Sequence, residues 1–133
     1  MTSFQKATLA IAGLTAIAIG AFILVAPIAF YASFDLPLGS SPDLLSDVRA
    51  QAANLAALGV VMLAGIVRPE WSRVSVVVAF VVFLAFPLGR FVAIAADGLP
   101  SQSMLAALGF ELAIAALCLV AFRPGRARNA LAG

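Results

Sequence analysis

Hydrophobic residues occupy four long runs along the chain, and the short segments between them hold most of the charged residues. A helix crosses the hydrocarbon core of a membrane with about 20 mostly apolar residues, and each run approaches or exceeds that length. Four strands cannot close a barrel in lipid, whereas helices satisfy their own backbone there. The pattern therefore predicts an all-α integral membrane protein, an antiparallel bundle of four transmembrane helices spanning about 7–32, 50–67, 74–96 and 102–122.

Proline and glycine positions predict where these helices begin, bend and end. The Ser41-Pro42-Asp43 sequence is typical of a helix start, so the second helix is expected to begin near Pro42, outside the membrane. The 97–101 segment, Asp-Gly-Leu-Pro-Ser, is typical of a helix stop followed by a new N-cap. Pro27 predicts a bend at the end of the first span, and Pro87 predicts a kink in the third.

The four spans use nearly the whole chain, so we expect one domain over 1–133 with a short arginine-rich tail over 123–133. The first apolar run has about 26 residues, which is longer than the core of a secretory signal peptide. We therefore expect it to be a membrane span rather than a cleaved signal.

Composition narrows the possible functions. The chain is 64% hydrophobic and 11% charged, with a mean hydropathy of +1.13, which argues against a soluble enzyme and against a disordered chain. It has no histidine and a single cysteine, Cys118, so neither a metal site nor a cofactor is predicted. The absence of a nucleophile–base motif disfavours an enzyme but leaves the question open. Eight Lys and Arg residues are too few to indicate nucleic-acid binding.

Basic residues predict the orientation, because Lys and Arg collect in short cytoplasmic loops. In the predicted topology, six basic residues lie on one side of the membrane, whereas only Arg49 lies on the other. We therefore expect a multi-pass protein of the plasma (inner) membrane with both termini cytoplasmic. The six residues are Lys6, Arg68, Arg73, Arg123, Arg126 and Arg128.

Two charged residues, Arg90 and Glu111, lie inside predicted spans. At 1.5 Å per residue they lie roughly 9 and 13 Å from the outer ends of adjacent antiparallel helices. An unpaired charge is costly at that depth, so the sequence predicts a contact between them.

Other polar residues reach the same outer level, whereas the cytoplasmic half of every span is expected to be purely apolar. Two arginines near one glutamate leave a surplus positive charge, and a kink at Pro87 would open space beside them. The sequence therefore predicts an outer-leaflet pocket for a carbonyl-bearing or anionic ligand; the alternative is a solid bundle with Arg90 and Glu111 as a structural pair. The candidate ligand-binding residues are Arg49, Asn54, Phe83, Phe86, Arg90, Asp97 and Glu111.

Small residues are abundant in three spans and predict close helix packing, because helix association in lipid depends on close approach of backbones. They include Gly13 and Gly20 in the first span and several alanines with Gly59 in the second. The fourth span has Ala106, Ala107, Gly109, Ala113, Ala115 and Ala116. A homo-oligomer face is the alternative interpretation of these residues.

Four short motifs carry a family resemblance: Asp47-Val-Arg49-Ala, Pro87-Leu-Gly-Arg90, Asp97-Gly-Leu-Pro-Ser101 and Glu111-Leu. Over about 9–123 the chain resembles a bacterial family of small four-helix membrane proteins classed as domain of unknown function 4345. It is more distantly similar to DoxX-like four-helix proteins, some of which are quinone-linked membrane subunits. The resemblance implies a four-helix membrane fold and draws attention to Arg49, Arg90, Asp97 and Glu111, but it implies no activity.

Three functions are compatible with these observations. The first is a non-catalytic protein that binds a lipid, a quinone or another amphipathic ligand. The second is an accessory or structural subunit of a larger membrane complex, with membrane partners or a second copy of the chain. The third, a small transporter, is less favoured because no polar residues continue towards the cytoplasm and no inverted repeat is evident.

Overall fold

The computed structural model describes residues 1–123; Arg126, Arg128 and the rest of the predicted tail lie outside the described residues. Four helices are long and apolar enough to cross a membrane, and no strand occurs between residues 1 and 123. The predicted fold class, an all-α membrane bundle, is confirmed. The elements are α1 (Ser3–Val25), α2 (Pro27–Ala32), α3 (Pro42–Val67), a 3-10 turn (Pro69–Trp71), α4 (Ser72–Asp97) and α5 (Gln102–Ala121).

The four long helices alternate in direction, so the bundle has two distinct ends. The terminal end holds the start of α1, the turn between α3 and α4, and the end of α5. The distal end holds α2, the start of α3 and the connection between α4 and α5. Neither name depends on the orientation of the bundle in the membrane.

The region predicted as the first span consists of two helices. α1 ends at Val25, the backbone of Ala26 leaves the helical region (φ −139°, ψ 67°), and Pro27 opens the short helix α2. A proline has no N–H to continue the helix and disfavours a helical conformation in the residue before it. The single span predicted over 7–32 is therefore interrupted, and α1 alone has the length to cross a membrane.

The other helix boundaries follow the local signals. α3 starts at Pro42, although the Ser41 side chain makes no capping hydrogen bond. The Ser101 hydroxyl caps α5 by accepting a hydrogen bond from the backbone N–H of Met104, at 3.4 Å. α4 continues through Pro87, whose ring is buried, and ends at Gly98, which adopts a φ of 93°. Pro87 therefore does not divide α4.

Close packing is concentrated between α1 and α3, where glycines bring the two backbones together. A Cβ atom added at Gly20 would lie 2.6 Å from the carbonyl oxygen of Ala52, and one at Gly59 would lie 2.7 Å from that of Gly13. Only residues without a side chain allow this approach. The glycines and Ala52 pack these two helices as predicted, whereas Ala53 and Ala57, which were also expected to do so, are exposed.

The small residues of α5 divide between two faces. Ala115 is buried in the core, but Ala106, Gly109, Ala113 and Ala116 are exposed. These four recur at intervals of three and four residues and therefore share one face of the helix. These four residues therefore do not pack within the bundle, because this face points away from the other helices.

The hydrophobic core lies mainly in the terminal half of the bundle. In the distal half, Ala52 is the one buried residue of 42–58, Pro87 of 84–97, and Leu108 of 102–113. α3, α4 and α5 therefore pack less closely towards the distal end. The buried core residues include Leu9, Met62, Phe83, Ile114 and Cys118.

Buried polar side chains hold the terminal end together, which corrects the expectation that this half of each span is purely apolar. Gln5 donates from Nε2 to the carbonyl oxygen of Ala121 at 3.0 Å and so links α1 to α5. The Ser75 hydroxyl donates to the carbonyl of Val61 at 2.6 Å and links α4 to α3. The buried polar residues of the described chain are Gln5, Thr8, Ser72 and Ser75.

Candidate functional site

Arg90 and Glu111 form an ion pair between α4 and α5 in the distal half. Arg90 donates from Nε to Oε2 at 2.8 Å and from Nη2 to Oε1 at 2.7 Å. The Arg90 side chain is 31% exposed and that of Glu111 is 13% exposed. Two parallel hydrogen bonds fix both side chains and compensate the two charges within the pair. The contact predicted from their matched depths is therefore present.

The remaining edge of the Arg90 guanidinium has weaker partners. Nη1 lies 3.8 Å from the thioether sulfur of Met104, which is a weak acceptor. Tyr31 of α2 is near enough to interact electrostatically with Arg90. The strong acceptor that Arg90 contacts is Glu111.

Arg49 contacts the end of α1. Its Nη1 donates to the carbonyl oxygen of Leu24 and lies 3.5 Å from that of Val25. These carbonyls belong to the last turn of α1, where the helix supplies no N–H partners and the dipole favours a cation. The interruption at Pro27 creates this acceptor site, and Arg49 caps it.

The structure therefore does not bring Arg49 together with Arg90 and Glu111. Within residues 1–123 no hydrogen bond or ion pair joins Arg49 to either of them. Of the other predicted site residues, Phe83 is buried in the core, and Asp97 is exposed at the end of α4. The guanidinium of Arg49, on which the predicted pocket depended, donates to backbone carbonyls instead.

A groove between α3 and α4 brings two predicted site residues, Asn54 and Phe86, together. It has a volume of about 420 Å³. α3 supplies most of its wall and α4 supplies the remainder, in the region where the two helices pack less closely. Its lining residues are Ala50, Gln51, Asn54, Leu55, Leu58, Val82 and Phe86.

Along its α3 wall, the groove is polar towards the distal end and apolar towards the terminal end. Gln51 donates from Nε2 to the Asp47 carboxylate at 3.1 Å, which leaves its carbonyl oxygen as an acceptor. Asn54 is exposed and makes no hydrogen bond to residues 1–123. A polar amide without a partner is costly within a membrane span. The groove thus offers amide donors and acceptors next to an apolar surface formed by leucine, valine and phenylalanine.

Sequence reasoning missed most of the groove, although one signal for it was present. Asp47, Gln51 and Asn54 share a helix face at i, i+4 and i+7, and Leu58 continues that face. The apolar lining residues have no sequence signal of their own. Their role follows from the rotation of α3 and α4 about their axes, which places them on facing walls.

No group of three or more His, Cys, Asp or Glu residues that could hold a metal ion occurs in the described part of the chain. Within residues 1–123, the charged pair inside the bundle is Arg90–Glu111.

Comparison with known proteins identifies a family but no characterised relative. No curated protein and no solved structure matches the chain. The more distant similarity to DoxX-like proteins is not confirmed by these comparisons. One family model matches residues 4–122, which include all four long helices and the groove. The chain belongs to the family described as domain of unknown function (DUF4345).

Proposed function

We propose that this membrane protein binds an amphipathic small molecule, a lipid or a quinone-like compound, in the groove between α3 and α4, without catalysing a reaction. The observation that carries the proposal is the arrangement of the groove lining. On the α3 wall two amide side chains lie at one end and two leucines at the other, and Val82 and Phe86 form the opposite wall. Asn54 has no partner in the described chain.

The depth of the amides suits such a ligand. α3 has 26 residues and is roughly 39 Å long, which exceeds a hydrocarbon core of about 30 Å. With the terminal end of α3 at one boundary of the core, Gln51 and Asn54 lie roughly 5–10 Å inside the other boundary. A lipid ester or a quinone carbonyl can reach that level, and an amide can both donate and accept hydrogen bonds there.

The apolar part of the groove suits an acyl or isoprenoid chain. Leu55 and Leu58 face Val82 and Phe86 across it. A volume of about 420 Å³ falls within the range of about 300–1,000 Å³ found for small-molecule sites. Burying a chain segment here also covers the exposed Phe86 side chain. The groove can therefore hold part of one chain while the polar end of the ligand stays near the amides.

Photo-cross-linking tests this proposal. The purified full-length protein in a nonionic detergent is incubated with phosphatidylethanolamine or phosphatidylglycerol carrying a diazirine in one acyl chain, then irradiated, digested and mapped by mass spectrometry. We expect the cross-links of at least one probe to concentrate in 50–58 of α3 and 82–86 of α4. Cross-links spread evenly over all exposed helix faces, with both probes, would contradict a binding groove.

A second candidate function, an accessory subunit or a self-associating protein, is favoured by one observation. The exposed face of α5 formed by Ala106, Gly109, Ala113 and Ala116 allows another helix to approach closely. A Cβ atom added at Gly109 would meet no atom within 4 Å, so the bundle does not use this face.

The mass of the complex extracted in a mild detergent tests this second candidate. We expect Gly109→Trp to release a partner or a second copy, while Leu119→Trp, on an exposed position outside this face, leaves the mass unchanged. A wild-type protein that is monomeric and without partners after extraction from its own membrane would contradict it.

A further inference from the structure

The chain connects its four long helices so that they form two pairs. α1 and α3 are joined at the distal end through α2, and α4 and α5 are joined at the same end by residues 98–101. The connection between the two pairs, the turn of Pro69–Trp71, lies at the opposite, terminal end. Within residues 1–123, the backbone therefore closes each pair at the distal end and links one pair to the other at the terminal end.

The pair of α1 and α3 is packed closely as far as its distal end. Gly13 and Gly59 bring the two backbones together near the middle of the bundle, and Gly20 contacts Ala52 nearer the distal end. Beyond them, the guanidinium of Arg49 in α3 donates to a carbonyl oxygen in the last turn of α1. Because close backbone packing and polar contacts hold helices together in lipid, α1 and α3 form one body.

The pair of α4 and α5 is linked at two levels. In the terminal half, the rings of Phe80 and Phe122 meet edge to face, with 6.4 Å between their centroids. In the distal half, the two hydrogen bonds between Arg90 and Glu111 join the helices. Separating this ion pair would leave two charges without partners inside the membrane, which is costly. α4 and α5 therefore stay together at the distal end.

The seam between the two pairs runs between α3 and α4 and between α1 and α5, and its hydrogen bonds lie in the terminal half. The Ser75 hydroxyl of α4 donates to the carbonyl oxygen of Val61 in α3 at 2.6 Å, and the Ser72 hydroxyl donates to α3 one turn further on, at 3.4 Å. Gln5 of α1 donates to the carbonyl oxygen of Ala121 in α5 at 3.0 Å. The terminal end of the seam is therefore fixed on both sides of the bundle.

In the distal half, no hydrogen bond or ion pair joins the two pairs within residues 1–123. Tyr31 of α2 lies near Arg90 across the seam but makes no hydrogen bond to it. The groove occupies the middle and distal parts of the seam between α3 and α4. The seam is thus bonded at one end and open at the other, which is the arrangement that a hinge requires.

We infer that the groove opens and closes by a hinge motion of two rigid helix pairs, α1 with α3 and α4 with α5, about the terminal end of the bundle. This inference rests on the proposed function for its ligand and specifies how the same site is entered. When the pairs move apart, an acyl chain enters sideways from the bilayer between α3 and α4.

The two walls of the groove belong to different pairs, so a bound chain connects the pairs. Leu55 and Leu58 belong to α3, whereas Val82 and Phe86 belong to α4. A chain that contacts both walls binds one separation of the pairs more tightly than the others. Such a ligand shifts the population towards that separation.

Distances between spin labels test the inference. Labels are attached to pairs of introduced cysteines in the full-length protein, with the natural cysteine replaced by alanine. Double electron–electron resonance is measured in a nonionic detergent, with and without phosphatidylethanolamine or phosphatidylglycerol. Labels at Ser46 and Val92 report the distal separation of the two pairs, labels at Val60 and Val77 the terminal separation, and labels at Val92 and Phe110 the separation of α4 from α5. These five residues are exposed, and none of them lines the groove.

Displacement in a hinge motion grows with distance from the hinge. We therefore expect at least one of the lipids to shift the mean Ser46–Val92 distance, or to narrow its distribution, by more than about 2 Å, and to leave the other two distances within that value. A change of equal size in all three distances would overturn the inference, because the whole bundle would then loosen. A larger change between Val92 and Phe110 would also overturn it, because α4 and α5 would not be one body.

A double variant tests the link within the second pair. Arg90→Met/Glu111→Leu removes both partners without leaving a charge, and it should broaden the Val92–Phe110 distribution by more than about 2 Å. Arg68→Met is the control, because it removes an exposed ion pair at the terminal end and should leave all three distances unchanged. An unchanged Val92–Phe110 distance in the double variant would contradict the ion pair as the link that makes α4 and α5 move together.

Failure of the inference and failure of the proposed function give different results. Unchanged distances in all three label pairs, with lipid cross-links concentrated in the groove, would overturn the hinge and leave lipid binding intact. Evenly spread cross-links with both lipids, together with an unchanged Ser46–Val92 distance, would overturn the proposed function and with it the inference.

Discussion

Arg90 and Glu111 join α4 to α5 through two parallel hydrogen bonds, of 2.8 and 2.7 Å, in the half of the bundle with the fewest buried residues. Leu108 is the only buried residue of α5 between 102 and 113, so apolar packing alone holds these distal halves weakly. The ion pair therefore keeps α4 and α5 together next to the groove. It leaves α3 and α4 without a comparable polar link at the same level.

Removing one partner of this pair should cost more than removing both. Arg90→Met or Glu111→Leu alone leaves an uncompensated charge inside the membrane, and we expect each to lower the free energy of unfolding by about 2–3 kcal/mol. The double variant should lose no more than either single one. Steric trapping in bicelles measures these free energies, and losses that add would contradict the coupling.

Arg49 should contribute to stability and not to ligand binding. Arg49→Met removes the donors to the carbonyls of Leu24 and Val25, and we expect a loss of about 1–2 kcal/mol in the free energy of unfolding. Arg49→Lys should restore part of it, because a cation remains at the end of α1. Arg68→Met, which removes an exposed ion pair, is the control and should change stability by less than about 0.5 kcal/mol.

Measuring the retained lipid distinguishes a capping role of Arg49 from a role in the ligand pocket that the sequence predicted. If Arg49 caps α1, Arg49→Met retains as much lipid as the wild type at a temperature where both are folded. A selective loss of lipid with unchanged stability would show instead that Arg49 binds the ligand.

Glycines at the interface of α1 and α3 should not tolerate a methyl group. In Gly20→Ala the new Cβ would lie 2.6 Å from the carbonyl oxygen of Ala52, so the helices must separate. We expect the free energy of unfolding, measured by steric trapping, to fall by about 1–3 kcal/mol. Gly109→Ala and Gly89→Ala meet no atom within 4 Å and should be neutral or slightly stabilising, because alanine favours a helix. Equal losses at all three positions would contradict the packing described for α1 and α3.

The sequence predicted the features that depend on distance along a helix. Span lengths follow from the apolar runs, and the Arg90–Glu111 contact follows from matched depth on adjacent antiparallel helices. Both quantities need only the rise per residue and the order of the helices. The start of α3 at Pro42 follows from local backbone chemistry in the same way.

The sequence did not reveal features that depend on the rotation of each helix about its axis. In a soluble bundle the polar face indicates which side is exposed, but lipid-facing and buried residues are equally apolar here. Ala106 and Gly109 therefore face outward, and Gln5 and Ser75 face inward, with no pattern to distinguish them. Arg49 contacts carbonyls at the end of α1, and α1 ends there because the helix is interrupted at Ala26. The sequence predicts only a bend at this point.

Both ends of the chain are predicted to lie on the cytoplasmic side of the membrane. The basis is the excess of Lys and Arg at the terminal end of the bundle. In a Cys118→Ala background, a cysteine at Ser40 should react with a membrane-impermeant maleimide added to intact cells, and one at Glu70 should react only after the membrane is opened. The opposite pattern would invert the topology and would place the groove mouth in the inner leaflet.

The most direct measurement of the central claim compares two phenylalanine substitutions on neighbouring positions of α3. Ala50 lines the groove, whereas Ala53 is also exposed but lies outside it. If the groove between α3 and α4 holds an amphipath, Ala50→Phe fills its polar end and lowers the lipid retained in native mass spectrometry at least about threefold, and Ala53→Phe retains the wild-type amount. Equal retention by both variants would contradict binding in this groove.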